Sequence, residues 1–178
     1  AVRRINMLRS IILSIDGVPL IYLGAEWGEL NDYTFLSDPT KASDARWIQR
    51  SKKKWQSREK LTDPSTLEWR FFDEMFRLIK LRKSLPAFYN GGMEVIDTGN
   101  PHLFGYTRQT ADQHLLVVNN FSEPPQTMSA QALRAYGCGR SSTNLVTGTI
   151  LDTEAALQLG SYGFVWLDCS TPADTGDS

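Results

Sequence analysis

The chain has 178 residues, of which 22% are charged, and a formal net charge of −1. This balance gives no electrostatic reason to expect nucleic acid or an anionic membrane surface as a partner. No apolar run approaches the roughly 20 residues of a transmembrane helix, and the first residues show no secretory hydrophobic region. The length suits one large domain or two small ones.

The cysteines and histidines give no sign of a metal or cofactor site, and we expect neither. Cys138 and Cys169 fit neither a metal-ligand cluster nor a disulfide-rich scaffold, so we interpret them as small, buried or half-buried residues. This interpretation favours a cytoplasmic protein. His102 and His114 lie in separate β segments without Ser, Cys or metal-type spacing nearby, which is typical of surface residues in turns or strands.

An amphipathic helix is predicted over Val2–Ile15. Apolar residues recur there at three- and four-residue spacings, namely Ile5, Leu8, Ile12 and Ile15. Gly17 supplies the stop, because glycine accepts the left-handed conformation that is common after a helix end. The chain enters this pattern directly from Ala1, which is typical of a cut inside a longer protein.

A buried strand is predicted over Val18–Leu23, between Gly17 and Gly24. The continuous apolar run is too short for a helix and suits a strand covered on both faces, as in parallel sheets. A buried parallel strand that opens into a long, chemically varied loop is typical of the active-site rim of an α/β barrel. An ordinary core strand followed by a long surface loop explains the same pattern.

The loop over residues 24–62 mixes carboxylates and aromatic residues: Glu26, Trp27, Glu29, Asn31, Asp32, Tyr33 and Phe35. Aromatic faces stack on sugar rings and carboxylates bind hydroxyls in fixed directions, so the mixture suits a carbohydrate cleft, although any half-exposed loop can contain it. Arg46 lies between Asp44 and Trp47, where a guanidinium can hold the carboxylate in a fork and still donate to a ligand hydroxyl. The basic run Arg50–Lys54 is most simply a solvated face.

A second helix is predicted to begin at Thr62-Asp63-Pro64, with Asp63 as its N-cap, and to end before Pro86. Beyond it the period changes to that of short strands at roughly ten-residue spacing, which favours a small antiparallel β-sandwich. The strand candidates are Met93–Ile96, Leu103–Arg108, His114–Phe121, Gln126–Ser129, Ser142–Val146 and Tyr162–Leu167. The small, polar tail over residues 171–178 is predicted to be disordered.

The combination of Gly17-Val18-Pro19-Leu20-Ile21-Tyr22-Leu23-Gly24, Glu26 and a following β region resembles the α-amylase superfamily of glycoside hydrolases. Its members have a (β/α)8 barrel, whose last strand carries a G-x-P-x-I-Y-x-G-x-E type motif, and a C-terminal β-sandwich. Within the superfamily the chain looks like the amylosucrases and the related sucrose hydrolases. This closer likeness extends to about Asp168 and rests on Leu30-Asn31-Asp32-Tyr33, Asp44-Ala45-Arg46-Trp47, Asp63-Pro64-Ser65-Thr66, Asn119-Asn120-Phe121-Ser122-Glu123 and Pro125-Gln126-Thr127.

The resemblance implies a mixed architecture of an α/β part followed by an all-β part. Residues 1–87 would be the last helix, strand and helix of a (β/α)8 barrel, and residues 88–170 the C-terminal antiparallel β-sandwich. Amylosucrases transfer the glucosyl unit of sucrose to α-1,4-glucan with retention, through a nucleophilic carboxylate and an acid–base carboxyl group. In the family these groups follow barrel strands that the chain lacks, so we expect the fragment to have no catalytic residues and no activity of its own.

Only substrate-binding residues carry over from the resemblance. Arg46 matches the family arginine that closes the bottom of the sucrose pocket, Asp44 would orient it, and Glu26 would support the rim. The chain has Ala25 where amylosucrases commonly have an aspartate, which puts an acidic contact there in doubt. An arginine that merely pairs with Asp44 is the structural alternative.

Two other classes of protein stay open. The β region could be a stand-alone carbohydrate-binding module, although a binding module has no use for the preceding barrel elements. It could also be a cap that stabilises the barrel and binds no ligand. In either case the isolated chain is expected to self-associate through the apolar surface of its incomplete barrel elements.

Overall fold

The computed structural model describes residues 2–50 and 55–170. The chain divides into two compact units: one combines the residues up to Pro19 with those from Phe76 onwards, and the other is Leu20–Met75. The predictions for the tail over 171–178 and for the lysines at 52–54 lie outside the described residues. No helix within the described ranges is both long and apolar enough to cross a membrane.

An antiparallel sheet of six strands forms the centre of the first unit. Its strands are β1 (Gly92–Ile96), β2 (Leu103–Gln109), β3 (His114–Asn120), β5 (Ser141–Asn144), β6 (Thr149–Asp152) and β8 (Phe164–Asp168), in the order β1-β2-β3-β8-β5-β6. Two further strands, β4 (Gln126–Met128) and β7 (Leu157–Leu159), pair into a small second sheet. The antiparallel β prediction is confirmed, and each predicted strand overlaps an observed one; β6 and β7 are additional.

The register of the large sheet sorts its residues between two faces. Tyr106, Val117 and Trp166 lie side by side on one face, and the next row, with Leu116 and Leu167, lies on the other. The second face packs against the small sheet and helix α4 (Ala130–Ala135). The core between them consists mainly of Leu116, Val118, Met128, Leu133, Leu157, Leu159, Val165 and Leu167. Each such aliphatic side chain contributes about 1.5–3 kcal/mol on burial, so this core dominates the stability of the unit.

The buried side chain of Asn120, at the end of β3, joins the large sheet to the small one. Its Nδ2 donates to the carbonyl oxygens of Pro124, Leu159 and Gly160 at 3.0, 3.3 and 2.9 Å. Its Oδ1 accepts from the backbone N–H and the hydroxyl of Ser122 at 2.8 and 2.7 Å. One amide therefore fixes both the loop after β3 and the end of β7.

Cys138 and Cys169 form a disulfide, with a Cα–Cα distance of 4.5 Å and a sequence separation of 31. Both side chains are buried, as expected, but the interpretation as separate small residues is wrong because α4 brings Cys138 beside the residue that follows β8. The hydroxyl of Ser142 also contacts the Cys169 sulfur at 3.7 Å. The disulfide thus ties the helix that covers the core to the centre of the large sheet.

Helix α1 (Val2–Ser14) lies on the other face of the large sheet, and its observed bounds agree with the prediction. The apolar stripe is not the buried one: Ile5, Leu8 and Ile12 are 37%, 42% and 48% exposed. The buried face instead includes Ser10 and Ser14, which hydrogen-bond to side chains of the sheet. Polar contacts with distant strands have overridden the hydrophobic periodicity.

Helix α2 (Leu67–Ser84) begins later than predicted. The Asp63 carboxylate accepts from the backbone N–H and hydroxyl of Ser65, which closes a turn of its own, and Thr66 takes the capping role by accepting the N–H of Trp69 at 3.2 Å. A short helix, α3 (Ala87–Asn90), follows Pro86. There the ring of Phe88 packs edge-on against Trp166, with centroids 4.8 Å apart.

The predicted strand over Val18–Leu23 is not formed. Residues 18–22 have no regular structure and pair with none of the described strands, and Val18 and Leu20 are 96% and 82% exposed. A strand requires a neighbour for its backbone N–H and C=O groups, and no described segment supplies one. The apolar composition of this segment alone therefore does not make it a strand.

Candidate functional site

The candidate sugar-binding residues all lie in the second unit, Leu20–Met75. Besides the first half of α2, this unit has no strand among its described residues and contains short 3₁₀ segments: Ala25–Trp27, Thr34–Ser37, Ala45–Gln49 and Trp55–Thr62. The backbone N–H of Asp32 donates to the Ile48 carbonyl at 2.8 Å, which closes the loop between the second and third segments. The loop is consequently held by local turns and a few backbone bonds.

Arg46 and Asp44 form a two-pronged ion pair. The guanidinium Nε lies 2.8 and 3.1 Å from the two carboxylate oxygens of Asp44, and Nη2 lies 2.9 Å from Oδ2. The backbone N–H of Arg46 donates to the same carboxylate at 3.0 Å. The side chain of Arg46 is 76% exposed, so the edge of the guanidinium that faces away from Asp44 can reach a ligand.

The hydrogen bonds from Arg46 hold the pKa of Asp44 at about 2, and the side-chain bond has the larger effect. The same pair raises the pKa of Arg46. Asp44 is therefore a carboxylate at neutral pH, and its chemistry is to accept hydrogen bonds and orient the arginine. It cannot serve as a general acid there.

Glu26 has a separate, local role. Its Oε2 accepts the backbone N–H of Gly24 at 2.7 Å, which stabilises the turn where the chain enters the loop. The turn also requires glycine at position 28, where φ is +75° and an added Cβ would lie 2.7 Å from the ring of Phe71. Among the predicted site residues, the structure thus joins Asp44 to Arg46, whereas the hydrogen bond of Glu26 is to its own turn.

Other carboxylates of the loop also build turns. Asp32 and Asp38 each accept the backbone N–H and the hydroxyl of a threonine two residues later, at 2.7–3.0 Å. Asp38 also pairs with Lys41 at 2.8 Å, and these bonds, led by that of Lys41, lower its pKa to about 2. The signal for this role was in the sequence, because Asp-x-Thr is a pattern in which the carboxylate closes its own turn.

Two basic side chains lie over the ring of Trp47, a contact that the sequence analysis did not predict. Lys41 Nζ lies 5.1 Å from the centroid of its ring, and the guanidinium carbon of Arg50 lies 5.6 Å away. Contacts of this type are worth about 0.5–1 kcal/mol at exposed sites. Trp47 therefore anchors the basic side chains around the Asp44–Arg46 pair.

The chemistry available here is binding rather than proton transfer. Within residues 2–50 and 55–170, the carboxyl groups with a resolved pKa shift are all lowered: Asp38, Asp44, Asp63 and Glu68. No group of three or more His, Cys, Asp or Glu side chains in those ranges could hold a metal ion. What remains is an exposed guanidinium held by a fixed carboxylate.

Comparisons with known proteins identify the β region. Residues 93–166 match the family model of the C-terminal domain of maltogenic amylase. The chain is also 35% identical over 117 residues to the glucosylglycerate phosphorylase of Escherichia coli (strain K12), an alignment that covers 64% of this chain and 20% of that protein. The alignments with the first two curated relatives span only a fifth and about a third of those proteins.

Solved structures show the same fold over nearly the whole chain. A variant of AmyP in complex with maltotriose superposes with a TM-score of 0.75 and 17% identity, over 97% of this chain and 35% of that one. A variant of MutB in complex with its substrate sucrose gives a TM-score of 0.67 and 18% identity, over 93% of this chain and 38% of that one. At such identities the likeness concerns the fold alone.

Proposed function

Because residues 93–166 form an α-amylase-family C-terminal domain, we propose that the chain is the C-terminal part of an amylosucrase-like enzyme. The reaction is transfer of the glucosyl unit of sucrose to α-1,4-glucan with retention, or hydrolysis of sucrose. The family match carries the proposal, and the motifs from Gly17 to Trp47 favour the sucrose-cleaving branch. Residues 1–87 then belong to the barrel and residues 88–170 to the C-terminal domain.

In this proposal Arg46 shapes the closed end of the sucrose pocket and donates to glucosyl hydroxyls. Asp44 restricts the guanidinium to one plane, since it accepts from both Nε and Nη2. Glu26 supports the rim by fixing the Gly24 turn. None of the three transfers a proton.

The catalytic carboxylates of the proposed reaction belong to barrel strands that this chain does not contain. The chain alone is accordingly inactive, and sucrose and α-glucan are ligands of the whole enzyme. In isolation it self-associates through the apolar side of α1 and the neighbouring Val18, which is 96% exposed. Light scattering checks this, and a monomer at high concentration would contradict it.

A second candidate is a module that only stabilises the barrel. The polar contacts between α1 and the large sheet favour it, because they hold a proposed barrel helix against the β domain. A stand-alone carbohydrate-binding module is the other alternative, and glucan affinity of residues 88–170 alone would favour it.

The test of the proposed site is Arg46→Ala in the whole enzyme. Losing one or two hydrogen bonds from a charged donor, at about 1.5–3 kcal/mol each, should lower kcat/KM for sucrose about tenfold or more. Arg140→Ala is the control, because that arginine is 91% exposed and its ion pair with Glu154 is long, at 3.5 Å. Wild-type kinetics in the Arg46 variant would remove this residue from the site.

Substrate choice tests the sucrose assignment separately. Fructose release from sucrose supports it. Cleavage of maltotriose or other α-glucosides without sucrose turnover would retain the family assignment and reject the amylosucrase-like reaction.

A further inference from the structure

The face of the large sheet that receives α1 makes several polar side-chain contacts with the helix. The indole N–H of Trp166 donates to the Ser10 hydroxyl at 2.8 Å, and Ser10 donates in turn to Asn119 Oδ1 at 3.4 Å. One turn later, the Ser14 hydroxyl and the Tyr106 phenol lie 2.6 Å apart. All five side chains are fully buried, so each polar group depends on the hydrogen bond that its neighbour supplies in place of water.

Two arginines close this contact at the C-terminal end of α1. Arg108, on β2, is fully buried and donates to the carbonyl oxygens of Ser14 at 3.4 Å and Gly91 at 2.9 Å. Arg82, on α2, donates to the carbonyls of Leu13 at 2.9 Å and Gly17 at 2.8 Å. The last carbonyls of a helix have no partner within the helix and carry partial negative charge, so a guanidinium is well suited to them.

The two guanidiniums depend on these carbonyl groups. Burial lowers the pKa of Arg108 and of Arg82, and the positive charge of Arg108 lowers that of Arg82 further. The nearest carboxylate, Asp16, is 72% exposed and lies 3.5 Å from Arg108. If α1 left, Arg108 would lose its hydrogen bond to the Ser14 carbonyl and keep those to Ala87 and Gly91, and Arg82 would lose the Leu13 carbonyl. A buried charge with fewer partners is costly.

We infer that this sheet face and the two arginines form a receptor for helix α1. The receptor fits a helix with two small hydroxyl residues one turn apart whose C-terminal carbonyls are free, and α1 of the same chain supplies both features. The β domain and α1 are therefore one folding unit. The β domain does not begin, as an independent fold, at residue 88.

The hydrogen bonds also set the position of the helix. An apolar contact tolerates a shift of one turn, about 5.4 Å. Because Ser10 and Ser14 are one turn apart, such a shift here would place only one of them opposite a sheet partner and would leave either Trp166 or Tyr106 without its serine hydroxyl. Polar contacts of this kind select one register, which buried polar groups also do in coiled coils.

Hydrogen exchange of the intact chain, followed by mass spectrometry, tests this inference. Amides of α1 should be protected to the same degree as those of β3 and β8. Arg82→Met keeps the length of the side chain and removes the guanidinium; it should speed exchange in α1 at least tenfold and leave β3 and β8 protected. Arg77→Met, at an exposed position on the same helix, is the matched control.

A second variant distinguishes the effect of the receptor from that of intrinsic helix propensity. It also tests the inference if Arg82→Met fails to fold. Ser10→Ala with Ser14→Ala raises the intrinsic helix propensity of α1, which alone would slow exchange. The receptor predicts faster exchange instead, because the partners of both hydroxyls lie on the sheet. Slower exchange in this variant, or an unprotected α1 in the wild-type chain, would overturn the inference.

Discussion

Replacing both Cys138 and Cys169 with alanine removes a crosslink between residues that are 31 positions apart. The crosslink restricts the unfolded chain, and the loop-entropy relation for this separation gives about 3.7 kcal/mol at 25 °C. The alanine variant loses this amount together with some packing, since both cysteines are buried in the core. Reduction of the wild-type chain isolates the crosslink, because it leaves both side chains in place.

Urea unfolding followed by circular dichroism measures the loss. With a slope of about 2 kcal/mol per molar urea, 3.7 kcal/mol corresponds to a midpoint about 1.8 M lower. Reductant should produce this shift in the wild-type chain and none in the alanine variant, which is the control. Work at low protein concentration keeps association out of the comparison.

Two results would refute this reasoning. Alkylation of the denatured, unreduced chain should label no thiol, and labelling of both cysteines would show that the pair is not formed. An unchanged midpoint after complete reduction would show that the crosslink does not stabilise the fold.

Gly91→Ala should destabilise the chain by about 2 kcal/mol or more, because a Cβ there would meet two backbone carbonyl oxygens at 2.5 and 2.7 Å. A Cβ at the adjacent Gly92 would meet nothing within 4 Å, so Gly92→Ala should be near neutral in the same urea assay. Burial raises the pKa of Tyr106 to about 12 from 10.0, so its stabilising contribution is complete below pH 10 and about 2.7 kcal/mol is lost as pH rises to 12. Tyr106→Phe should lose less stability over that pH interval, and an equal slope in both chains would contradict the assignment. Ser129→Ala should cost about 1 kcal/mol, because the hydroxyl caps α4 by accepting the Ala132 N–H at 3.1 Å; an unchanged thermal midpoint would exclude that role.

Local signals in the sequence predict where helices and strands form better than they predict which residues these elements contact. The spacing of Ile5, Leu8 and Ile12 marks α1 as a helix, but its buried face is decided by residues more than 90 positions away, such as Tyr106 and Trp166. The β region is predicted well because alternating patterns and turn residues are themselves local. Strands β6 and β7 were not predicted, although β4 and β5 are equally short and were.

The segment after Gly17 shows that a local pattern can also predict an element that does not form. Val18–Leu23 has the composition of a buried strand, yet a strand forms only with a neighbour, and composition carries no information on whether the neighbour is present. The disulfide was missed for a similar reason, since the pairing of Cys138 with Cys169 depends on where α4 packs.

Part of the candidate site could be predicted because its geometry is local. Asp44 and Arg46 are two residues apart, and the fork between them follows from that spacing and from the shape of the guanidinium. The turn-forming role of Asp32 is equally local, but the sequence analysis counted this residue with the sugar-binding mixture instead. Whether Arg46 binds glucosyl hydroxyls depends on groups beyond this chain, so its role in the pocket stays a prediction.

The position of Asn120 has a consequence for the chemical ageing of the protein. Deamidation would turn its amide into a carboxylate of the same shape, and three carbonyl oxygens that now accept hydrogen bonds would face a negative charge. The reaction begins with attack by the next backbone nitrogen, that of Phe121, which is held in a 2.9 Å hydrogen bond to His102. Asn120 is therefore shielded while the fold is closed and is exposed to the reaction whenever the end of β3 opens. Accumulated aspartate and isoaspartate at this position would record how often the stored protein opens there.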